Sequence, residues 1–136
     1  MDGYLKVIPA FFSGILTFLF GGWNAMLAIL LTLVVIDFIT GMVASALAGR
    51  LRSHVGMLGI ARKVFIFVMV TVAHLIDLIL SESGIQSSEA VMTMVIVFYS
   101  INEILSITEN AGRIGLPIPE AVKNAVEILR NKRDRN

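Results

Sequence analysis

The amino-acid sequence predicts an all-α integral membrane protein, with three to four transmembrane helices and a short cytoplasmic amphipathic helix at its C-terminal end. Three observations predict it. Apolar residues make up 57% of the 136-residue chain and charged residues only 15%, against about 45–50% and ~25% in soluble domains. The apolar residues gather into runs close to the ~20 that cross a bilayer core. The eleven lysines and arginines all fall on one side of the spans that those runs define, the pattern that marks the cytoplasmic side.

The first run covers about residues 4–20 and is the shortest, with Lys6 and Pro9 near its start. Pro9 suits a first helical turn, where its missing N–H has no intrahelical partner. The second covers 25–48 and carries one charge, Asp37. A third, 64–80, follows Arg62-Lys63 and contains His74 and Asp77, and a fourth covers 90–110. Strands are not expected, because the runs lack period-two alternation and an open sheet edge has no partner in lipid. The expected division is a transmembrane region, 1–116, and a cytoplasmic helix with basic tail, 117–136.

Arg50, Arg52, Arg62 and Lys63 lie in the connection 49–63, and Arg113, Lys123, Arg130, Lys132, Arg133 and Arg135 lie near the end of the chain. The opposite connections, 21–24 and 81–89, hold only Glu82 and Glu89. Four spans with both termini cytoplasmic put every basic residue inside. If the first run only lies in the interface, the other three keep their orientation. "MDGYLK" lacks the basic start of a secretory signal. Zero cysteines exclude a disulfide framework and thiolate metal sites.

Polar residues inside the spans are the candidate functional positions, since a charge at mid-bilayer costs about 2.5–3.5 kcal/mol and faces protein or water. Asp37 is followed at helical spacing by Thr40, Gly41, Ala44, Ser45 and Ala48. Gly41, Ser45 and Gly49 form a small-xxx-small ladder suited to helix packing. His74 and Asp77, at i and i+3, can hydrogen-bond. Tyr99, Asn102, Glu103, Ser106, Glu109, Asn110 and Arg113 form one stripe, opposite Met94, Val97, Phe98, Ile101, Ile104 and Leu105. Glu109 and Arg113 are spaced to pair. Interhelical hydrogen bonding explains any one of these positions; four acids across three spans favour a functional polar interior, an oligomer interface or a water path. After Pro117 and Pro119, Val122, Ala125, Val126 and Leu129 share one face of a short helix.

An enzyme is not expected. There is no H-E-x-x-H, G-x-S-x-G, P-loop or G-x-G-x-x-G, and "GMLG" (56–59) reads as flexible loop. No cofactor or metal ion is implied. The basic tail lacks base-stacking aromatics, so it fits topology and anionic lipid rather than nucleic acid.

"GGWN", "DFITGMVASAL", "LRSHVGMLGIARK", "AHLID" and "FYSINEILSITENAGRIGLPIPEAVKNAVEIL" follow one another over residues 20–130. In this order they resemble the phage lysis and toxin-secretion holin family of Gram-positive phages and clostridial toxin loci. Asn24 stands where Asp is expected and Phe38 where Tyr is common. The resemblance implies a homo-oligomer in the bacterial inner membrane that opens lesions and releases an endolysin, or a toxin, as cargo. On that reading Asp37, Thr40, His74, Asp77, Asn102, Glu103, Ser106, Glu109 and Asn110 form a polar pore or oligomer face. The alternatives are a small ion-conducting or proton-linked channel or transporter, and a membrane adaptor displaying the basic tail.

Overall fold

A computed structural model describes residues 2–135; Met1 and Asn136, the outer limits of the expected two-part division, lie outside them. Among the described residues there are five helices and no strand: α1 (Asp2–Phe20), α2 (Ala25–Leu47), α3 (Ser53–Glu82), α4 (Ala90–Ile114) and α5 (Glu120–Asp134). The first four are long and apolar enough to cross a membrane. Even α1, with 19 residues, reaches about 28 Å at 1.5 Å per residue.

Local chemistry sets the helix ends. The Asn24 side chain accepts the Leu27 N–H at 3.0 Å and caps α2, a task that Asp performs equally well. Gly49, at φ +67°, closes α2 in the left-handed region while the Arg50 N–H reaches the Ser45 carbonyl at 2.9 Å. Gly49 is thus a turn residue with nothing near its Cβ position, and the expected packing ladder stops at Ser45. Gly115, at φ +87°, ends α4 in the same way, with the Leu116 N–H on the Ala111 carbonyl at 3.0 Å. The helix therefore stops before Pro117 is reached. Because α1 starts at Asp2, Pro9 lies beyond the first turn and leaves the Leu5 carbonyl without its helical donor.

α3 begins well before the expected span at 64. Residues 53–63 hold no proline, and their glycines face α2 rather than loosening the chain. A Cβ on Gly56 would meet Met42 Sδ at 3.9 Å, and one on Gly59 would meet Phe38 Cε2 at 3.7 Å. "GMLG" is helix, not loop, with Gly56 and Gly59 on its packed face and Met57 and Leu58 exposed.

α2, α3 and α4 meet along seams with a repeat of 3.5 residues. On α2 the inward positions are Leu27, Leu30, Val34, Asp37, Gly41 and Ala44, and on α4 they are Met92, Ile96, Tyr99, Glu103, Ser106 and Asn110. On α3, running the other way, they are Gly56, Gly59, Lys63, Ile66, Val70, Ala73 and Asp77. All are buried or half-buried. Alternating steps of three and four keep one stripe turned toward the neighbours over the whole helix. α4 packs on both α2 and α3. The seam changes character along its length: Leu27, Leu30, Val34, Val70, Ala73, Met92 and Ile96 form the apolar core, while Asp37, Lys63, Glu103 and Asn110 fill the other half.

α1 stands apart. It has no buried residue and, among the described residues, touches only α3. Phe20 packs edge-on against Phe67 at 6.4 Å, and Gly21 lies against His74. α5 turns back through residues 116–119 and runs antiparallel along α4. Its Val126 is buried, and Arg133 Nη1 donates to Asn102 Oδ1 at 3.2 Å. Lys132 and Arg133, expected at a cytoplasmic surface, border a hollow beside Thr93, Met94, Val97, Phe98 and Ile101.

Leu30→Ala, at a fully buried seam position, is expected to lower stability in micelles by about 2–4 kcal/mol. Ile79→Ala, on the outer face of α3, should leave the unfolding midpoint nearly unchanged.

Candidate functional site, a charged seam between three helices

The polar half of the seam centres on Lys63. Its Nζ bonds Asp37 Oδ2 on α2 and lies 2.7 Å from Glu103 Oε2 on α4. One ammonium from α3 therefore holds two carboxylates from the flanking helices. Asp37 is 7% and Glu103 6% exposed, so neither has enough water to replace this partner. Asn110, two turns beyond Glu103, completes the cluster. Its Nδ2 donates to Asp37 Oδ1 at 2.9 Å, to the Asp37 carbonyl at 3.2 Å and to Thr40 Oγ1 at 3.0 Å. Thr40 turns its own proton to the Ile36 carbonyl at 2.8 Å, which frees its oxygen to accept.

A crevice of about 200 Å³ leads into this cluster from the end of the bundle where α2 passes to α3. Gly41, Ser45, Gly56 and Gly59 line it, Asp37 and Lys63 bound it within, and Ser106 and Arg113 lie on its α4 side. Small side chains leave room there, and a Cβ on Gly41 would only reach ordinary contact with Asn110 Nδ2 at 3.5 Å.

Asp77 does different work at the far end of α3. It accepts from Ser87 Oγ and from the backbone N–H groups of Val91, at 3.2 Å, and Met92, at 2.8 Å. It thus caps α4 from a neighbouring helix, satisfying donors that a helix start leaves unpaired. Glu89, the residue at the normal cap position, makes no such bond, and Ser88 and Glu89 sit at φ 47° and 58°. Left-handed backbone costs an L-residue roughly 1–2 kcal/mol, so the capping bonds of Asp77 help hold this turn. His74 is buried beside Gly21, but its Nδ1 has no hydrogen-bond partner. The expected His74–Asp77 bond is not formed, because both carboxylate oxygens of Asp77 are directed to the start of α4.

The sequence-derived polar face therefore divides. Asp37, Thr40, Glu103 and Asn110 come together, with Ser106 beside them on the crevice. Asp77 and His74 lie at the opposite end. Asn102 turns outward to Arg133. Glu109 and Arg113 are exposed and form no ion pair with each other. Arg50, Arg52, Arg62, Arg130 and Arg135 are exposed, but Lys63, expected among them, is drawn into the seam. Its spacing from Ile66, Val70, Ala73 and Asp77 carries that signal once α3 is extended back to Ser53. Ser87 carries no periodic signal, and only the three-dimensional turn brings it to Asp77.

Four long apolar helices joined by short connections, with buried ionic groups tying three of them together, define a small multi-pass membrane protein of the bundle class. Residues 14–131 match the bacteriophage holin family, and the chain belongs to that family. A "Probable holin" of Bacillus phage phi105 is 35% identical over 108 residues, covering 79% of this chain and 76% of the phage protein. An uncharacterized protein of Halalkalibacterium halodurans is 50% identical over 130 residues, 96% of each chain. An uncharacterized 14.9 kDa protein of Clostridium perfringens is 34% identical, also over 96% of each. No solved structure matches.

Removing one partner from the charged cluster should cost more than removing all of it. Lys63→Met strands two buried carboxylates and is expected to destabilise the bundle by about 3–5 kcal/mol. Combining Lys63→Met with Asp37→Leu and Glu103→Leu should recover at least half of that loss in the same micelle unfolding assay. Asp77→Ala should speed amide exchange at Val91 and Met92 while leaving exchange at Val34 unchanged.

Proposed function

We propose that this protein is a holin that accumulates in the bacterial cytoplasmic membrane, assembles with copies of itself, and opens lesions through which an endolysin or a toxin leaves the cytoplasm. Family membership supports the reading, and the half-polar seam supplies a means. In a single copy Asp37, Lys63, Glu103 and Asn110 satisfy one another and turn apolar surface outward to lipid. In a ring of copies the same groups, parted from one another, have water as their alternative partner and line an aqueous lesion. The apolar stripe of α4 would then stay with lipid.

The chain is oriented with both ends and the connection 48–52 in the cytoplasm. The eleven basic residues support this, since the connections 21–24 and 83–89 contain none. Anionic lipid at the inner leaflet attracts the exposed arginines at that end. The released enzyme or toxin is cargo, with no catalytic step assigned to the chain itself.

A narrow ion or proton-linked channel is the second reading, favoured by the crevice that reaches Lys63 and Asp37 from one end. Cargo size separates the two. Induced expression with and without an endolysin should release a folded cytoplasmic reporter protein in both cases, and lyse cells only with the endolysin; release of ions alone would favour the channel. Glu103→Leu should change the onset of release strongly, whereas Leu105→Val should leave it within the wild-type range. Equal onset in the two variants would remove the charged seam from the mechanism.

A further inference from the structure

α5 rests on α4 in a place that lipid cannot share. Arg133 reaches Asn102, and Lys132 lies beside it on the hollow next to Val97 and Ile101. α4 has 25 residues, and about 20 of them fill a bilayer core. Wherever that window is placed, Asn102 remains at least roughly seven residues, or about 10 Å, from the nearer surface. An α5 docked on a lipid-embedded α4 would carry the head groups of Lys132 and Arg133 into hydrocarbon. The insertion penalty for each is on the order of a hundredfold. Against this stand the buried Val126, the half-buried Leu129 and one hydrogen bond.

The same face has a second seat. Val122, Val126 and Leu129 form the apolar stripe of α5, and around it Lys123, Arg130, Lys132, Arg133 and Arg135 outnumber Glu120, Glu127 and Asp134. That pattern fits a helix lying in the headgroup region of an anionic bilayer. The connection 116–119, with Pro117 and Pro119 after the left-handed Gly115, is where the chain can change direction. Because one face serves both seats, α5 occupies either the bilayer surface or α4, never both.

We propose that α5 is a surface-binding helix whose partner is the anionic membrane face, and that its seat on α4 is available only when the Asn102 side of α4 is out of hydrocarbon. This deepens the holin reading by naming what holds the C-terminal helix, but needs only that α4 cross a bilayer.

The chain has no cysteine, so single and paired cysteines can be placed without background. The full-length protein with Val122→Cys, on the stripe but still exposed in the docked arrangement, is spin-labelled and reconstituted in sealed vesicles of phosphatidylcholine with phosphatidylglycerol. A second sample carries Thr93→Cys with Lys132→Cys, two positions on the same hollow, and is treated with a mild oxidant. The expected result is a label several-fold less accessible to a water-soluble nickel chelate than in phosphatidylcholine alone, with the cysteine pair unlinked. Arg130→Gln should lower the surface-bound to free ratio about fivefold while keeping the apolar face intact. Val126→Asp should abolish surface seating. Cross-linking of most of the pair in sealed vesicles overturns the proposal, and so does a label equally water-accessible in both lipids. Reporter release is not read in this experiment, so its outcome is independent of the test of lesion formation.

Discussion

Two carboxylates and one ammonium, buried between helices where water is scarce, set the terms for the rest of this structure. A lone ion at that depth is costly, and each member of the Asp37–Lys63–Glu103 cluster removes that cost for the others. The arrangement spans α2, α3 and α4, so it ties three helices at one level of the bundle. Asn110 donates to the Asp37 oxygen that the ammonium does not reach, and Thr40 Oγ1 accepts from the same amide. Apolar packing in lipid has little hydrophobic drive, because lipid tails are as apolar as leucine. The close-packed core of Leu30, Val70, Met92 and Ile96 and the ionic cluster therefore contribute in different ways, one by contact and the other by partner choice.

α4 is the helix through which the others communicate. It packs on α2 and α3 along its seam, receives its N-terminal cap from Asp77, and offers its outer side to α5. α1 contributes almost nothing to this core. Its contact through Phe20 and Gly21 places it at the margin of α3, with most of its surface left for lipid.

Much of the fold was legible in the sequence because bilayer thickness and hydropathy speak directly to span length. The four apolar helices and the amphipathic C-terminal one follow from run length and from the stripe at Val122, Val126 and Leu129. Asp37, Thr40, Glu103 and Asn110 were legible as a polar set because charge inside an apolar run is itself a signal. Lys63 was not, since a lysine at the edge of an apolar run reads as a boundary marker until the helix is continued behind it. Gly56 and Gly59 misled for a related reason: glycine signals loop in isolation and close approach on a packed face. Asp77 was found as a buried acid, but its task depends on where residues 87–92 return, which no local pattern encodes. The reversal of α5 along α4 likewise depends on tertiary contact, not on periodicity.

A seam with a strict repeat of three and four has an inherent ambiguity. Sliding α3 by seven residues against α2 and α4, about 10 Å along its axis, brings small and apolar positions back into matching holes. Leu30 would take the place of Asp37, and Ile96 that of Glu103. Lys63 would then face aliphatic side chains while both acids moved to a level without a cation. The ionic cluster therefore acts as a register pin, much as a single buried polar residue does in a coiled coil. Of the many alignments that the heptads alone would permit, it leaves one in which every charge has its counterpart.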